Sequence, residues 1–285
     1  MNIAILLTTF NRKESTLKCL KSLYNARLPN FWNFQIYITD DNSTDGTVDA
    51  LLWQYPNINI EISNNNLYWA RGMNTSWKRA LSDFKYDAFL LLNDDVILFE
   101  NFWFNIKSTH EYCLKHNKIG GIYVSSTLDP FKNRISYGGS ILKKSFLRIK
   151  TEIVIPTNSP ISCQLTNANI LLVNSNVVNK IDILDENYIH GIADYDYSLN
   201  AISKNFNVYV TPNYGGYCIN DHGNNWLNSS YSLKERVKYL YSPKGLAYNE
   251  YMYYLLKHFP FYAPIGFALL WLKTFFPFLW TKFKC

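Results

Sequence analysis

The chain has 285 residues, 48% hydrophobic and 18% charged, enough to bury a large core and to exclude a disordered chain. Its formal charge of +6 is spread along the sequence without a basic stripe or an aromatic RNA-binding signature, so no nucleic-acid partner is expected. The five cysteines, Cys19, Cys113, Cys163, Cys218 and Cys285, are widely spaced and include no CxxC pair, which argues against a disulfide framework or a zinc site and fits a reducing cytoplasm.

The opening apolar run before Thr8 is too short for the core of a signal peptide and has no basic start, so secretion is not expected. In chain order, "NIAILLTTFNR" predicts a strand that breaks at Thr8 and Thr9. A helix follows in "KESTLKCLKSLYNA", where Leu17, Leu20 and Leu23 recur at helical spacing. "FQIYITDDNSTDGT" predicts a second strand with a polar end, leading into the helix "VDALLWQY", which Thr44 or Asp45 can cap. "INIEIS" is a third strand, "NNNLYWARGMN" a polar and aromatic loop, "TSWKRALSDF" a third helix, and "AFLLLNDD" a fourth strand apolar enough for burial on both faces.

Strands alternating with helices predict a mainly parallel, helix-covered sheet. Ligands of such sheets bind beyond the carboxyl ends of the strands, where the strand order switches. The clusters Thr8 to Arg12, Asp40 to Ser43 and Asn93 to Asp95 all fall at those ends. Asp94 and Asp95 repel each other, so their place at the end of an apolar strand calls for a cation, unless Asn-Asp-Asp simply makes a surface turn. A nucleoside diphosphate bridged by a metal suits the three oxygen-rich ends. Neither a G-x-G-x-x-G nor a G-x-x-x-x-G-K phosphate loop is present.

Together "LTTFNR", "ITDDNSTDGT", "NDDV" and "HGIADYDYSLNA" resemble the family-2 inverting glycosyltransferases of GT-A fold, from residue 2 to about residue 225, and in particular a subgroup that makes bacterial cell-surface polysaccharides such as capsule or O-antigen. The resemblance implies a Rossmann-like, mainly parallel mixed sheet flanked by helices. It also implies a nucleotide-sugar donor, a UDP- or dTDP-sugar, and a glycan or lipid-linked oligosaccharide acceptor. Asp40 matches the carboxylate that hydrogen-bonds the nucleobase, with Thr8, Thr9 and Asn11 beside it. Asp94 matches the residue facing the ribose or supporting the metal shell, and Asp95 the ligand of Mg²⁺ or Mn²⁺. Asn93 stands where many relatives have the first Asp of a DxD motif. Asp194 matches the general base that deprotonates the acceptor hydroxyl, and Asp196 is read as a charge favouring a helix start.

Further matches are expected at Asn167 and Asn169, lining the donor-sugar and acceptor site or else closing a turn, and at Trp69 and Arg71 in the loop after the third strand. His222 is either a metal or diphosphate ligand or a structural histidine, and Asn200 replaces the Arg found in many relatives. Residues 1–225 then form the catalytic domain, with a nucleotide-sugar half over 1–100 and an acceptor half over 101–225, and residues 226–285 a helical, membrane-associating region. Within it "FPFYAPIGFALLWLKTFFPFLW" carries one charge, Lys273, and three prolines, which favours a helix lying at the inner face of the plasma membrane over a span, with a helix pair covering the core as the other reading. Alternative functions are a sugar-phosphate nucleotidyltransferase, whose glycine-rich, lysine-bearing loop "LTTFNRKES" lacks, and a non-catalytic carbohydrate-binding protein of the same fold.

Overall fold

The computed structural model describes residues 1–145, 148–220 and 231–278. In chain order the first half runs β1 (Asn2–Thr9), α1 (Lys13–Asn25), β2 (Asn33–Asp40), α2 (Thr47–Gln54), β3 (Asn59–Ile62), α3 (Tyr68–Asp83) and β4 (Ala88–Leu92). It continues with β5 (Ile97–Leu98), α4 (Phe102–Asn117), β6 (Ile122–Asp129), β7 (Arg134–Tyr137), β8 (Gly139–Ser145), β9 (Arg148–Ile153), β10 (Ile161–Ser162), β11 (Leu165–Thr166), β12 (Ile170–Asn174), α5 (Ser175–Ile181), α6 (Ala193–Ser203) and β13 (Val208–Tyr217). Then come α7 (Leu233–Tyr241), α8 (Tyr248–His258) and α9 (Ala263–Phe275).

The order β10-β13-β6-β12-β4-β1-β2-β3 defines a mixed sheet whose β4, β1, β2 and β3 are parallel neighbours, while β12 enters antiparallel between β4 and β6. The mixed α/β architecture expected from the sequence is therefore present. A smaller sheet, β11-β8-β9, stands beside it. Both faces of the main sheet are covered, which explains the unbroken apolar run of β1: Ala4 and Leu6 enter one core with Trp77, Phe89 and Leu91, while Ile3, Ile5 and Leu7 enter the other with Leu20, Leu90 and Trp103. The helix α1 turns Thr16, Cys19, Leu20 and Leu23 inward, the spacing of one helical face.

The expected third helix needs correction. The third helix begins at Tyr68, seven residues before "TSWKRALSDF", so Trp69 and Arg71 are helical rather than in a loop. Asp41 makes the early start possible by accepting the Leu67 and Tyr68 N–H groups, which otherwise lack helical partners. Gly72 lets this helix close on β1, because a Cβ there would collide with the Thr8 side chain. At α2 the residue before the helix is Gly46, in the left-handed region at φ 78°, while Asp45 still accepts the Thr47 N–H at 3.1 Å.

The C-terminal region packs on the core on one side and exposes aromatic side chains on the other. Tyr254, Leu255, Phe259 and Ala263 lie in the same core as Ala193, Tyr197 and Ala201 of α6, so α8 and the start of α9 cover the body. Outward, Phe261, Phe267, Phe275 and Phe276 are exposed. No helix among the described residues is long and apolar enough to cross a membrane. At about 1.5 Å per residue, the 13 residues of α9 fall short of an apolar bilayer core of about 30 Å.

Candidate active site

The strand order reverses at β1: β2 and β3 lie to one side, and the chain returns through α3 to place β4 on the other. A cleft of ≈ 870 Å³ opens beyond the carboxyl ends at this switch, lined by Thr8, Thr9, Asn93, Asp94 and Asp95 among others. The β1–β2 register sets Thr9 opposite Asp40 and brings the three polar clusters together.

Asp94 is buried and Asp95 partly exposed. The guanidinium of Arg12, just before α1, spans the pair: Nη1 is 3.1 Å from Asp94 Oδ1 and 3.0 Å from Asp95 Oδ2. Burial pushes the Asp94 carboxyl up to about 6 against the pull of Arg12, with Asp95 adding to the rise. Asp94 Oδ2 is buried without a hydrogen-bond partner. Unpartnered carboxylate oxygen beside a half-exposed second carboxylate fits a divalent cation that keeps waters and takes diphosphate oxygens. No cluster of three or more His, Cys, Asp or Glu side chains able to hold a metal occurs among the described residues, and His222 lies outside them.

The remaining expected nucleotide-site residues divide. Asp40 is fully buried below the cleft; its Oδ1 accepts the Ser43 N–H at 2.7 Å, and its Oδ2 has no partner. Asp41, not Asp40, lines the cleft. The Asn11 side chain turns away to accept the Thr44 N–H at 2.8 Å, tying two loops together. Trp69 lines the cleft, and its indole N–H donates to Asn93 Oδ1 at 2.8 Å, which fixes the Asn93 amide. Arg71 is exposed and is absent from the cleft lining, a departure from its expected place.

Asn169 lines the cleft and the preceding Ala168 donates its N–H to Asp194 Oδ2 at 3.0 Å, while Asp194 itself is absent from the cleft lining. The neighbouring Tyr195 N–H is 2.9 Å from Asp194 Oδ1. Burial raises the Asp194 carboxyl to about 6 even against these two donors. A carboxylate of that basicity is matched to accepting a proton near neutral pH. Asn167 reaches the phenol of Tyr195 rather than the cleft.

Asp196 is more than a charge at a helix start. It is buried and receives the Tyr188 hydroxyl at 2.9 Å, Lys257 Nζ at 2.9 Å and His258 Nε2 at 2.7 Å. From the same helix, Glu250 accepts the Ile189 N–H at 2.9 Å. Thus α8 clamps the segment that leads to Asp194. The turn between α7 and α8 also reaches the site: Lys244, Gly245 and Leu246 line the cleft, with Lys244 Nζ 5.9 Å from the Tyr68 ring centroid.

Arg12 and Asp41 fall within the polar clusters expected at the strand ends but had no role assigned there, and Lys244 was not expected at the cleft at all. Arg12 and Asp41 adjoin matched motif positions, which was the available signal. Lys244 is about 150 residues from Asp95 and only the packing of α8 brings it near.

The family described as Glycosyl transferase family 2 matches residues 4–167. A protein of Methanococcus voltae, dolichyl N-acetyl-alpha-D-glucosaminyl phosphate 3-beta-D-2,3-diacetamido-2,3-dideoxy-beta-D-glucuronosyltransferase, is 25% identical over 91% of this chain and 78% of its own length. Among solved structures, the mannosyltransferase PcManGT from Pyrobaculum calidifontis in complex with GDP-Man and Mn²⁺ is similar at TM-score 0.54 and 12% identity, covering 95% of this chain and 69% of that one. S. aureus TarS 1-349 in complex with UDP-GlcNAc is similar at TM-score 0.55 and 16% identity, covering 96% and 79%. These two likenesses concern the fold.

Proposed function

The chain belongs to glycosyl transferase family 2 and is a glycosyltransferase using a nucleotide-sugar donor; from that premise we propose that it transfers one sugar, with inversion, onto a hydroxyl of a lipid-linked surface glycan. The observation that carries this reading is the Asp94–Asp95 carboxylate pair lining the cleft at the strand switch, together with an Asp194 carboxylate held by the N–H of Ala168, the residue before the cleft-lining Asn169. The Methanococcus voltae relative is named for a dolichyl-linked substrate, which supports a lipid-linked acceptor.

In the proposed reaction the acceptor oxygen attacks the anomeric carbon, forming the new C–O bond as the bond to the diphosphate oxygen breaks. The nucleoside diphosphate leaves with the electron pair, and Asp194 takes the hydroxyl proton. The Ala168 and Tyr195 N–H groups hold the Asp194 carboxylate in place for this transfer. Thr8, Thr9 and the Trp69–Asn93 pair form the donor wall. Asp95, backed by Asp94, would hold Mg²⁺ or Mn²⁺, and the neighbour bound to GDP-Man and Mn²⁺ supports the presence of a divalent ion. The cation's contribution is Lewis-acid stabilisation of charge on the departing diphosphate. The neighbour with UDP-GlcNAc makes uridine donors the first to test. The exposed phenylalanines of the C-terminal helices favour peripheral attachment to the membrane that carries the acceptor.

The test is transfer from a panel of UDP-, dTDP- and GDP-sugars to a lipid-linked acceptor with and without EDTA, comparing the wild type with Asp95→Asn. The expected result is inverted product from one donor class, lost in EDTA and in the variant. Undiminished turnover by Asp95→Asn, or a product with retained anomeric configuration, would overturn the reading.

A further inference from the structure

Two carboxylates side by side, one of them buried, need positive charge whether or not a metal is bound. In this structure the charge comes from inside the chain, because one nitrogen of Arg12, Nη1, contacts Asp94 Oδ1 and Asp95 Oδ2 together at 3.1 and 3.0 Å. The Arg12 side chain remains 44% exposed at the cleft wall, so it is anchored at its tip and has open space to move into. Its backbone carbonyl is held by the Thr16 N–H and hydroxyl at 2.9 Å each, which keeps the side chain's root fixed at the start of α1.

We infer that Arg12 is the resident counter-cation of the Asp94–Asp95 pair, a positioning residue that a divalent metal must displace, and that the freed guanidinium then faces the donor diphosphate. This rests on the metal-dependent reading above and adds to it an internal competitor for the metal site. The reasoning is electrostatic: Asp95 Oδ2 cannot offer the same lone pairs to Arg12 and to a cation, and a retained guanidinium repels incoming positive charge. Metal alone should therefore bind weakly. Metal arriving with a nucleoside diphosphate should bind more tightly, since the phosphates give the displaced guanidinium a new bidentate partner.

The experiment measures Mn²⁺ binding by electron paramagnetic resonance of the free ion, without and with UDP, in the wild type, Arg12→Gln, Arg12→Met and Arg12→Lys, with thermal melts confirming that each is folded. Both neutral variants should bind Mn²⁺ alone about tenfold more tightly, equivalent to about 1.4 kcal/mol, and should lose much of the gain that UDP confers on the wild type. Arg12→Lys, which keeps the charge, should stay near wild-type affinity for Mn²⁺ alone. A merely structural arginine would not make metal binding tighter when removed. Equal or weaker Mn²⁺ binding by folded neutral variants would overturn the role of Arg12 while leaving a metal site standing. Failure of every variant and the wild type to bind Mn²⁺ would overturn the metal reading and this inference with it.

Discussion

Lys257 Nζ of α8 lies 2.9 Å from Asp196 Oδ2 of α6, two residues beyond the proposed base Asp194, and equally 2.9 Å from Asp185 Oδ2. The ammonium thus joins the C-terminal helices to both ends of the segment that presents Asp194. Burial works against Asp185 ionising, but the Asn187 N–H, Lys257 and Tyr253 hold its carboxyl down at about 2.

Lys257→Met should leave Asp196 buried with less compensation and cost about 1–3 kcal/mol of stability, the range for depriving a buried charged acceptor of a partner. Urea denaturation checks the value. Because the same contact steadies the Asp194 segment, kcat should fall more than donor affinity. For the same reason a truncation removing residues 255–285 should unfold the protein, since it deletes Leu255, Phe259 and Ala263 from the core.

Asp194→Asn should retain shape while removing basicity, lowering kcat by about 10² to 10⁴ with donor Kd nearly unchanged. Rapid-quench turnover and donor titration separate the two quantities. A kcat within a few-fold of wild type would assign the proton to another group.

The pH dependence follows from the carboxyl of Asp194, pushed up to about 6 by burial. Below that pH the base is protonated, so kcat should fall about tenfold per unit, and Asp194→Asn should lack this acid limb. Stability carries the opposite sign. The folded form holds the proton more tightly than the unfolded chain, so stability from this group is fully present below about pH 4 and is lost as pH rises to about 6. Above pH 6 Asp194→Asn should therefore be more stable than wild type, by on the order of 1–3 kcal/mol. Denaturation at pH 4 and pH 7.5 measures both arms.

Replacing Phe261, Phe267 and Phe275 together by Ser should weaken binding to anionic vesicles by tenfold or more, since each buried Phe is worth about 1.5–3 kcal/mol, with turnover of a soluble acceptor maintained. Vesicle sedimentation and the soluble assay are run on the same preparation. Unchanged sedimentation would place the membrane contact elsewhere.

Much of the first hundred residues was legible because their information is local. The apolar runs ending at Thr9, Asp40 and Leu92 are strands to within a residue or two, and Leu20 and Leu23 mark the buried face of α1 as their spacing predicts. The start of α3 was not legible, since it depends on Asp41 accepting N–H groups 26 and 27 residues away. The same limit hid Asp196, whose neighbours suggest a helix cap while its partners, Lys257 and His258, are about sixty residues on.

The sequence by itself determined the alternation of strands and helices, the oxygen-rich strand ends and the identity of Asp94, Asp95 and Asp194 as the carboxylates to watch. Only the tertiary structure decided that β12 enters antiparallel beside β4, that Asp41 rather than Asp40 faces the cleft, that Arg12 spans the carboxylate pair, and that α8 belongs to the core. The division has a physical basis: strand and helix signals arise from side-chain periodicity over a few residues, whereas pairing, desolvation and charge compensation depend on which distant groups are brought within about 3 Å of one another.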